Sequence, residues 1–316
     1  MAEKTKMITS IGGQALMEGI MMRGPKVTAI GVRKPDKTID VSERPTENLK
    51  DKYPILGLPI IRGTAAMIDS LRIGFSALNE SAEKSMEGME EEEPSRFEKW
   101  LDRVFGEKIM NVIMGIAMVL GLVLAVALFF VLPTWLVNLM KLGVGDGIEG
   151  WRSLIEGVMR IAIFIGYVAL CDLQPDLHRT FQYHGAEHKT IFCYENHEEL
   201  TVENVRRHGR FHPRCGTSFM VIMLGLGIVI GFFIPFTNPF LRTAVKLLCI
   251  PLVMGLGYEL IRLCGRRDNW LTRIIAAPGL WVQRITTKEP DDSMIEVAIA
   301  AMEKVIPENG EDQIQL

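Results

Sequence analysis

The chain has 316 residues, of which 48% are apolar, and a formal net charge of −3 at pH 7. This small net charge carries no information about a nucleic-acid partner, and no direct nucleic-acid binding is expected. Five cysteines, an odd number scattered along the chain, predict reduced thiols and exclude a disulfide framework.

The first segment, residues 1–84, is predicted to be a β-rich cytoplasmic unit followed by an amphipathic helix. The strings "VTAIGV" and "TIDV" are strand-like and flank a turn. The preceding "IGGQALMEGIMMRGP" is rich in glycine, so we interpret it as a structural turn, with a substrate-contacting loop as the alternative. From Ile61 to Leu78 apolar residues recur with a helical period. This helix either lies in the membrane interface or packs on neighbouring spans, and the sequence favours neither.

Four apolar runs predict about four membrane-spanning helices. The first run exceeds the roughly 20 residues that a helix needs to cross a bilayer, and the third contains no charged residue. The second and fourth are weaker because each carries ionisable side chains. The runs are Ile109 to Leu132, Leu154 to Cys171, Phe219 to Phe236 and Ala244 to Cys264. We therefore place spans 1 and 2 in residues 109–171 and spans 3 and 4 in residues 216–264.

Basic residues near these spans predict the orientation, because cytoplasmic flanks carry the excess of Lys and Arg. They concentrate before span 1, between spans 2 and 3, and after span 4. Both termini are therefore expected in the cytoplasm, together with the loop at residues 172–215. Residues 85–108 form an acidic linker and a segment leading to span 1. Residues 265–316 form a cytoplasmic helix and tail, in which Ser293 and Glu296 show the spacing of a capping box.

All six histidines fall in the single window from His178 to His212. Within it, His184, Glu187 and His188 form the string His-x-x-Glu-His. On a helix the two histidines share one face and the glutamate lies beside them. This is the order found in inverted zincins, in which two imidazoles hold zinc and the glutamate acts as general base on water. We predict a divalent transition metal, zinc as first choice, at His184 and His188, with Glu187 catalytic.

The third metal ligand is open from sequence alone, with His212, Cys215 and Glu259 as candidates. If His212 and Cys215 both bind, the site is closed and structural. If water replaces one of them, the site is open and catalytic. Arg210 and Arg214 are either topology determinants facing lipid headgroups or a clamp that binds an anionic substrate.

Five strings together resemble the YqhQ family of bacterial membrane proteins, which carry a domain of unknown function and are described as predicted metal-dependent enzymes. The strings are "GGQALMEGIMMRGP", "YHGAEHKTIFCYE", "HPRCGTSF", "GYELIR" and "TTKEPDDSMIEVAIAAM". The resemblance covers residues 11–302. It implies a multi-pass protein of the bacterial cytoplasmic membrane with a metal site at His184, Glu187, His188 and the segment holding His212 and Cys215. Neighbouring translation genes in some members imply a translation- or translocon-associated partner.

Three functional hypotheses follow for this α-helical membrane protein with a small α/β cytoplasmic part. The first is a metal-dependent, peptidase-like hydrolase acting on a membrane protein or peptide at the cytoplasmic surface of the lipid bilayer. The second is a non-catalytic assembly or protein-biogenesis factor whose loop is stapled by a structural metal. The third is a transporter, which ranks last because about four spans without an inverted repeat would require a homo-oligomer.

Overall fold

The computed structural model describes residues 7–88, 109–266 and 269–313. The predicted acidic linker lies outside the described residues from position 89 onward. Within the described part the chain is mostly helical, with one small antiparallel sheet. This agrees with the predicted fold class at that level of detail.

Four strands form the sheet in the order β1-β2-β3-β4, each antiparallel to the next. They are β1 Gly12–Leu16, β2 Gly19–Arg23, β3 Val27–Arg33 and β4 Ile39–Pro45. The last two strands confirm the strand-like strings. The glycine-rich segment contains the predicted turn only at Met17 and Glu18, and the residues on either side of it form β1 and β2. Hydrophobic side chains on both sides of the glycines make this hairpin possible.

Twelve α-helices are found in the described part of the chain. Those before the histidine window are α1 Leu49–Lys52, α2 Ile61–Met86, α3 Ile109–Val126, α4 Leu132–Val144 and α5 Arg152–Asp172. Those that follow are α6 Pro175–Glu195, α7 Val202–Arg207, α8 Gly216–Gly231, α9 Pro239–Leu248, α10 Ile250–Arg266, α11 Trp270–Thr286 and α12 Asp292–Glu303.

The chain divides into two compact units, and the sheet belongs to the first, which comprises Met1–Glu87, Ile165–Leu226 and Ile250–Leu316. One face of the sheet packs on α6 and α12, where Ile20 and Met22 meet Tyr183 and Met294 in a fully buried core. The other face packs on α2. Alternate side chains of a strand point to opposite faces, so a sheet covered on both sides needs apolar residues at successive positions, as in Ile20, Met21 and Met22.

Helix α2 uses only part of its surface for packing. At its start Gly63 lies against α10, where an added Cβ would come within 2.9 Å of the Gly255 Cα atom. The opposite face leaves large apolar side chains exposed, among them Ile68, Leu71 and Phe75. The helix therefore contacts a neighbouring apolar helix and still presents an unpartnered apolar stripe.

The second unit comprises Gly88–Phe164 and Gly227–Cys249. By length and composition, two helices in the described part of the chain could cross a membrane, Gly115–Gly143 and Gly147–Asp172. A third is added if the bent pair Pro239–Leu248 and Ile250–Leu263 counts as one span. The apolar run predicted at Phe219 to Phe236 corresponds to the shorter helix α8. Membrane association thus rests on two to three apolar helices, against the four runs predicted.

The start of the C-terminal helix α12 corrects one sequence prediction. Asp291, not Ser293, caps the helix by accepting the backbone N–H of Met294 at 3.0 Å. Ser293 donates its hydroxyl to Asp291, and Glu296 pairs with Arg33 at 2.6 Å. The capping-box assignment was wrong because two acidic residues precede Ser293 and the first of them takes the cap position.

Candidate functional site

The histidine string lies on α6, which runs beside the β1–β2 hairpin of the same unit. The hairpin turn is held by Glu18, whose carboxylate accepts two hydrogen bonds from Arg179 at 2.5 and 2.6 Å. About two helical turns further along α6, the backbone N–H of Gly13 donates to Oε1 of Glu187 at 3.1 Å. The glycine-rich segment and the histidine window, far apart in the sequence, therefore meet in the fold.

Both histidines of the string are oriented by backbone carbonyl groups. Nδ1 of His184 lies 2.8 Å from the carbonyl oxygen of Thr286, and Nδ1 of His188 lies 2.6 Å from that of Arg210. Because a carbonyl oxygen can only accept a hydrogen bond, each Nδ1 must carry the proton. The lone pair of each neutral imidazole is then on Nε2. This arrangement, in which the far nitrogen is tied to a fixed acceptor, is typical of histidines that ligate metals.

Cys215 completes a group of three candidate ligands. Its Sγ atom lies 3.2 Å from Nε2 of His184. One ligand atom from each of His184, His188 and Cys215 lies within 4.8 Å of the others. Ligand atoms around one tetrahedral zinc ion lie roughly 3.3 to 3.7 Å apart, given zinc-ligand distances of about 2.0 to 2.3 Å. The three atoms could therefore close on one ion with only small movements.

Both His188 and Cys215 have pKa values below their usual range. Burial lowers the pKa of His188, which keeps the imidazole neutral at neutral pH. Burial would raise the pKa of the Cys215 thiol, but the interactions with His188 and with Thr217 outweigh it, so the net pKa lies below its usual value. A neutral imidazole and a thiolate are the forms in which these residues bind zinc.

Glu187 is 5% exposed and lines the same cavity as the three candidate ligands. Burial is the main cause that raises the pKa of its carboxyl group to about 7, and the nearby His184 acts in the opposite direction. Its Oε2 atom is buried and has no hydrogen-bond partner among the described residues, and the same holds for Nε2 of His188. Buried polar atoms are nearly always paired. Two such atoms in one site indicate a ligand.

The segment that carries Cys215 is held by a residue that the sequence did not single out. Gln283 on α11 is fully buried, accepts the backbone N–H of His212 and donates to the carbonyl oxygen of His212, both at 2.7 Å. These two bonds fix the backbone just before Cys215. An amide that pairs with backbone groups far away in sequence leaves no local sequence signal.

His212 itself lies outside the group of three ligand atoms. Its ring packs against Phe192, with ring centroids 4.7 Å apart, and its Nε2 atom lies 3.9 Å from Oε2 of Glu195. Glu195 is buried, pairs with Arg214 and accepts the backbone N–H of Thr9 at 2.9 Å. Burial opposes ionisation of Glu195, but its contacts with His212 and Arg214 bring its pKa below the usual value. His212 is therefore placed beside the candidate ligand His188, with a carboxylate as its neighbour.

A cavity of about 1050 Å³ opens beside the three candidate ligands. Its wall includes the whole run of residues 9–15, the inner side of α2 at Ser70 and Ile73, and Tyr258. A cavity of this size can accept a peptide segment or a lipid headgroup. A molecule much larger than water can therefore reach the three candidate ligands.

The remaining predicted site residues are distributed differently. Arg214 lines the cavity, whereas the Arg210 guanidinium lies over the ring of Phe211 and 3.6 Å from Glu289. Glu259 does not lie with the three candidate ligands. Its carboxylate instead accepts a bidentate pair of hydrogen bonds from Arg62. This pairing accounts for a charge in an apolar helix.

The described part of the chain also holds a second group of potential ligands, formed by Cys193, Glu198 and His208. Here the Cys193 thiol lies 3.5 Å from the carbonyl oxygen of Glu199, and burial raises its pKa to about 11. A thiol that stays protonated is a poor metal ligand. The group around Cys215 is the better candidate.

Comparison with known proteins was made over the whole chain. The profile of the family described as "Protein of unknown function (DUF1385)" matches residues 58–308. The chain is also 31% identical over 304 residues to "Uncharacterized protein YqhQ" of Bacillus subtilis (strain 168), an alignment that covers 96% of this chain and 94% of the relative. No solved structure matches the chain. The profile match includes all three candidate ligands and Glu187, and it begins after the hairpin.

Proposed function

The chain belongs to the YqhQ family of DUF1385 proteins, as its motifs predicted, and we propose that it is a metal-dependent hydrolase of the membrane surface. His184, His188 and Cys215 would hold zinc or a related divalent ion. Glu187 would act as the general base. Three protein ligands with one open position are the usual composition of a catalytic zinc site, whereas structural sites have four.

The residues of the site would have separate roles in hydrolysis. Zinc bound at these atoms would act as a Lewis acid that polarises a carbonyl group and makes water nucleophilic near neutral pH. Oε2 of Glu187, buried and unpartnered, is placed to accept the proton from the attacking water and to pass it on to the leaving group. The Gly13 N–H holds the other carboxylate oxygen, so the side chain keeps one orientation.

The observation that carries this proposal is the group of three ligand atoms together with the buried, unpartnered Oε2 atom of Glu187, all lining one large cavity. A closed structural site, as in the assembly-factor hypothesis, would need a fourth protein ligand. His212, the nearest candidate, faces Glu195 instead. The open cavity and the three-ligand group favour catalysis over a structural staple.

We place the site at the cytoplasmic surface of the bacterial inner membrane. The apolar helices support membrane attachment, and the basic residues that flank them support cytoplasmic termini. Cys215 directly precedes the apolar helix α8, so the candidate ligand lies where the chain meets apolar sequence. A peptide or protein segment near the membrane is the substrate class that fits this position, with Arg214 in the cavity wall as a contact for an anionic group.

The test is hydrolysis by the full-length protein in lipid nanodiscs, with a library of fluorescence-quenched peptides as the probe. We expect cleavage of some peptides, its loss after treatment with a chelator such as 1,10-phenanthroline, and its return when zinc is added back. Absence of cleavage by the zinc-loaded protein, or cleavage that is indifferent to the chelator, would refute a metal-dependent peptidase.

Two adjacent glycines give a matched pair of variants for the role of the hairpin. An added Cβ at Gly13 would lie 2.8 Å from Cγ and Cδ of Glu187 and 2.8 Å from the Met21 carbonyl oxygen, whereas at Gly12 nothing lies within 4 Å. Gly13→Ala should displace the carboxylate and lower kcat/KM by about tenfold or more, because small misplacements of catalytic groups are costly. Gly12→Ala should behave like wild type. Equal activity of the two variants would show that the hairpin does not position Glu187 for catalysis.

A further inference from the structure

The second unit contains four cationic side chains buried around a single carboxylate. Glu156 on α5 is 1% exposed and contacts Arg152, Arg242 and Lys246. Arg160 lies one helical turn after Glu156 and is buried as well. All five residues lie in or beside the helices that could enter a membrane.

These charges do not balance. Among the residues whose side chains the structure describes, four buried cations face one buried carboxylate, which leaves a surplus of three positive charges. The partly exposed pair of Lys141 and Glu149 at the edge of the cluster adds one charge of each sign. Uncompensated buried charge is costly, and in a membrane it marks a functional site unless a partner neutralises it.

Hydrogen bonds distinguish a saturated part of the cluster from an open part. Arg242 is saturated, because its guanidinium contacts Glu156, the Ser153 hydroxyl and the carbonyl oxygens at the end of α8 and just after it. Arg160 donates its Nε–H to the carbonyl oxygen of Phe129 at 2.8 Å. Its guanidinium also lies over the ring of Phe130, 4.8 Å from the ring centroid, and it forms no salt bridge with a carboxylate of the described residues.

Two further side chains of the second unit have hydrogen-bond donors to spare. Lys246 contacts Glu156 with one ammonium group that has three N–H donors. Thr243, three residues earlier on α9, therefore lies on the same helical face. Its hydroxyl is buried and has no hydrogen-bond partner among the described residues. The cluster therefore carries surplus positive charge, and three of its side chains have spare hydrogen-bond donors: Arg160, Lys246 and Thr243.

We propose that this cluster binds a phosphate-type anion, supplied either by the headgroup of an anionic lipid or by free phosphate. A phosphate group carries the negative charge that the cluster lacks and offers several acceptor oxygens for guanidinium, ammonium and hydroxyl donors. Arg160 and Lys246 supply the charge, and Glu156 keeps Arg242 and Lys246 in place. The cluster uses none of the candidate zinc ligands, and the proposal does not depend on hydrolysis.

The experiment compares the thermal unfolding of the full-length protein, followed by tryptophan fluorescence, in two arms. In the lipid arm, nanodiscs of phosphatidylcholine alone are compared with nanodiscs that also contain phosphatidylglycerol. In the phosphate arm, phosphatidylcholine nanodiscs receive inorganic phosphate or chloride at equal ionic strength. We expect Tm to rise by about 3 °C or more in one arm, because a ligand that binds only the native state stabilises it. The arm that responds identifies the source of the phosphate group.

Arg160→Met removes one buried charge, and Arg207→Met removes one from an exposed arginine of the first unit as the matched control. We expect the apparent affinity for the phosphate group to fall at least tenfold in Arg160→Met and to stay unchanged in Arg207→Met. Native mass spectrometry of wild type should also show one tightly held phosphatidylglycerol or phosphate, which keeps the test valid if Arg160→Met fails to fold. A flat Tm in both arms with no retained phosphate group, or an unchanged response in Arg160→Met, would overturn the proposal.

Discussion

Glu187→Gln is expected to lower the rate of peptide hydrolysis by about 10²- to 10⁴-fold, the usual contribution of a general base, while the metal content stays at the wild-type level. Glutamine keeps the size of the side chain and its acceptor for the Gly13 N–H, but it cannot take a proton from water. Activity and metal content, measured on the same preparation, separate catalysis from metal binding.

The control for this variant is Glu203→Gln, which changes an exposed carboxylate on α7. It should leave both activity and metal content unchanged. If Glu187→Gln retained full activity with metal bound, another group would have to be the base. If it lost the metal together with activity, Glu187 would be a ligand or a structural residue.

Cys215→Ser and His188→Ala are expected to remove the metal from the purified protein. Loss of an outer-shell partner typically costs roughly 10- to 100-fold in metal affinity, and loss of a direct ligand should cost more. Metal content by plasma mass spectrometry should fall from about one ion per chain to a small fraction of that value. Hydrolysis should disappear with it.

Controls for these variants come from residues of the same types elsewhere in the chain. Cys171→Ser changes a half-buried cysteine, and His197→Asn changes an exposed histidine at a positive φ of 55°, which asparagine tolerates. Both should keep the metal. Full metal content in Cys215→Ser would instead make His212 the third ligand, and full content in His188→Ala would remove the basis of the site.

Local patterns were enough to predict the central part of the site. The four-residue spacing of His184 and His188 fixes their common face on any helix, and α6 provides that helix. The apolar runs likewise predicted the apolar helices, although the number of spans depends on where helices bend or end. At Phe219 to Phe236 the helix stops at Gly231, which the run of apolar letters does not reveal.

The third candidate ligand and the residues that support the candidate site depend on tertiary contacts. The sequence offers His212 and Cys215 as equally good third ligands. In the fold, Gln283 fixes the backbone of this segment, and the side chain of His212 lies beside Glu195. The carbonyl oxygens of Thr286 and Arg210 orient the histidines, and a backbone group carries no residue-specific signal. In the sequence, Gly13 is visible only as one of two adjacent glycines, and such pairs are also common in turns.

The measurement that tests the account most directly is zinc X-ray absorption spectroscopy of the full-length, zinc-loaded protein in nanodiscs. The account predicts a first shell with one sulfur at about 2.3 Å and three nitrogen or oxygen atoms at about 2.0 Å, and loss of the sulfur in any zinc that Cys215→Ser still binds. A shell without sulfur, or a wild-type protein that takes up no zinc, would contradict the assignment of His184, His188 and Cys215 as the metal site.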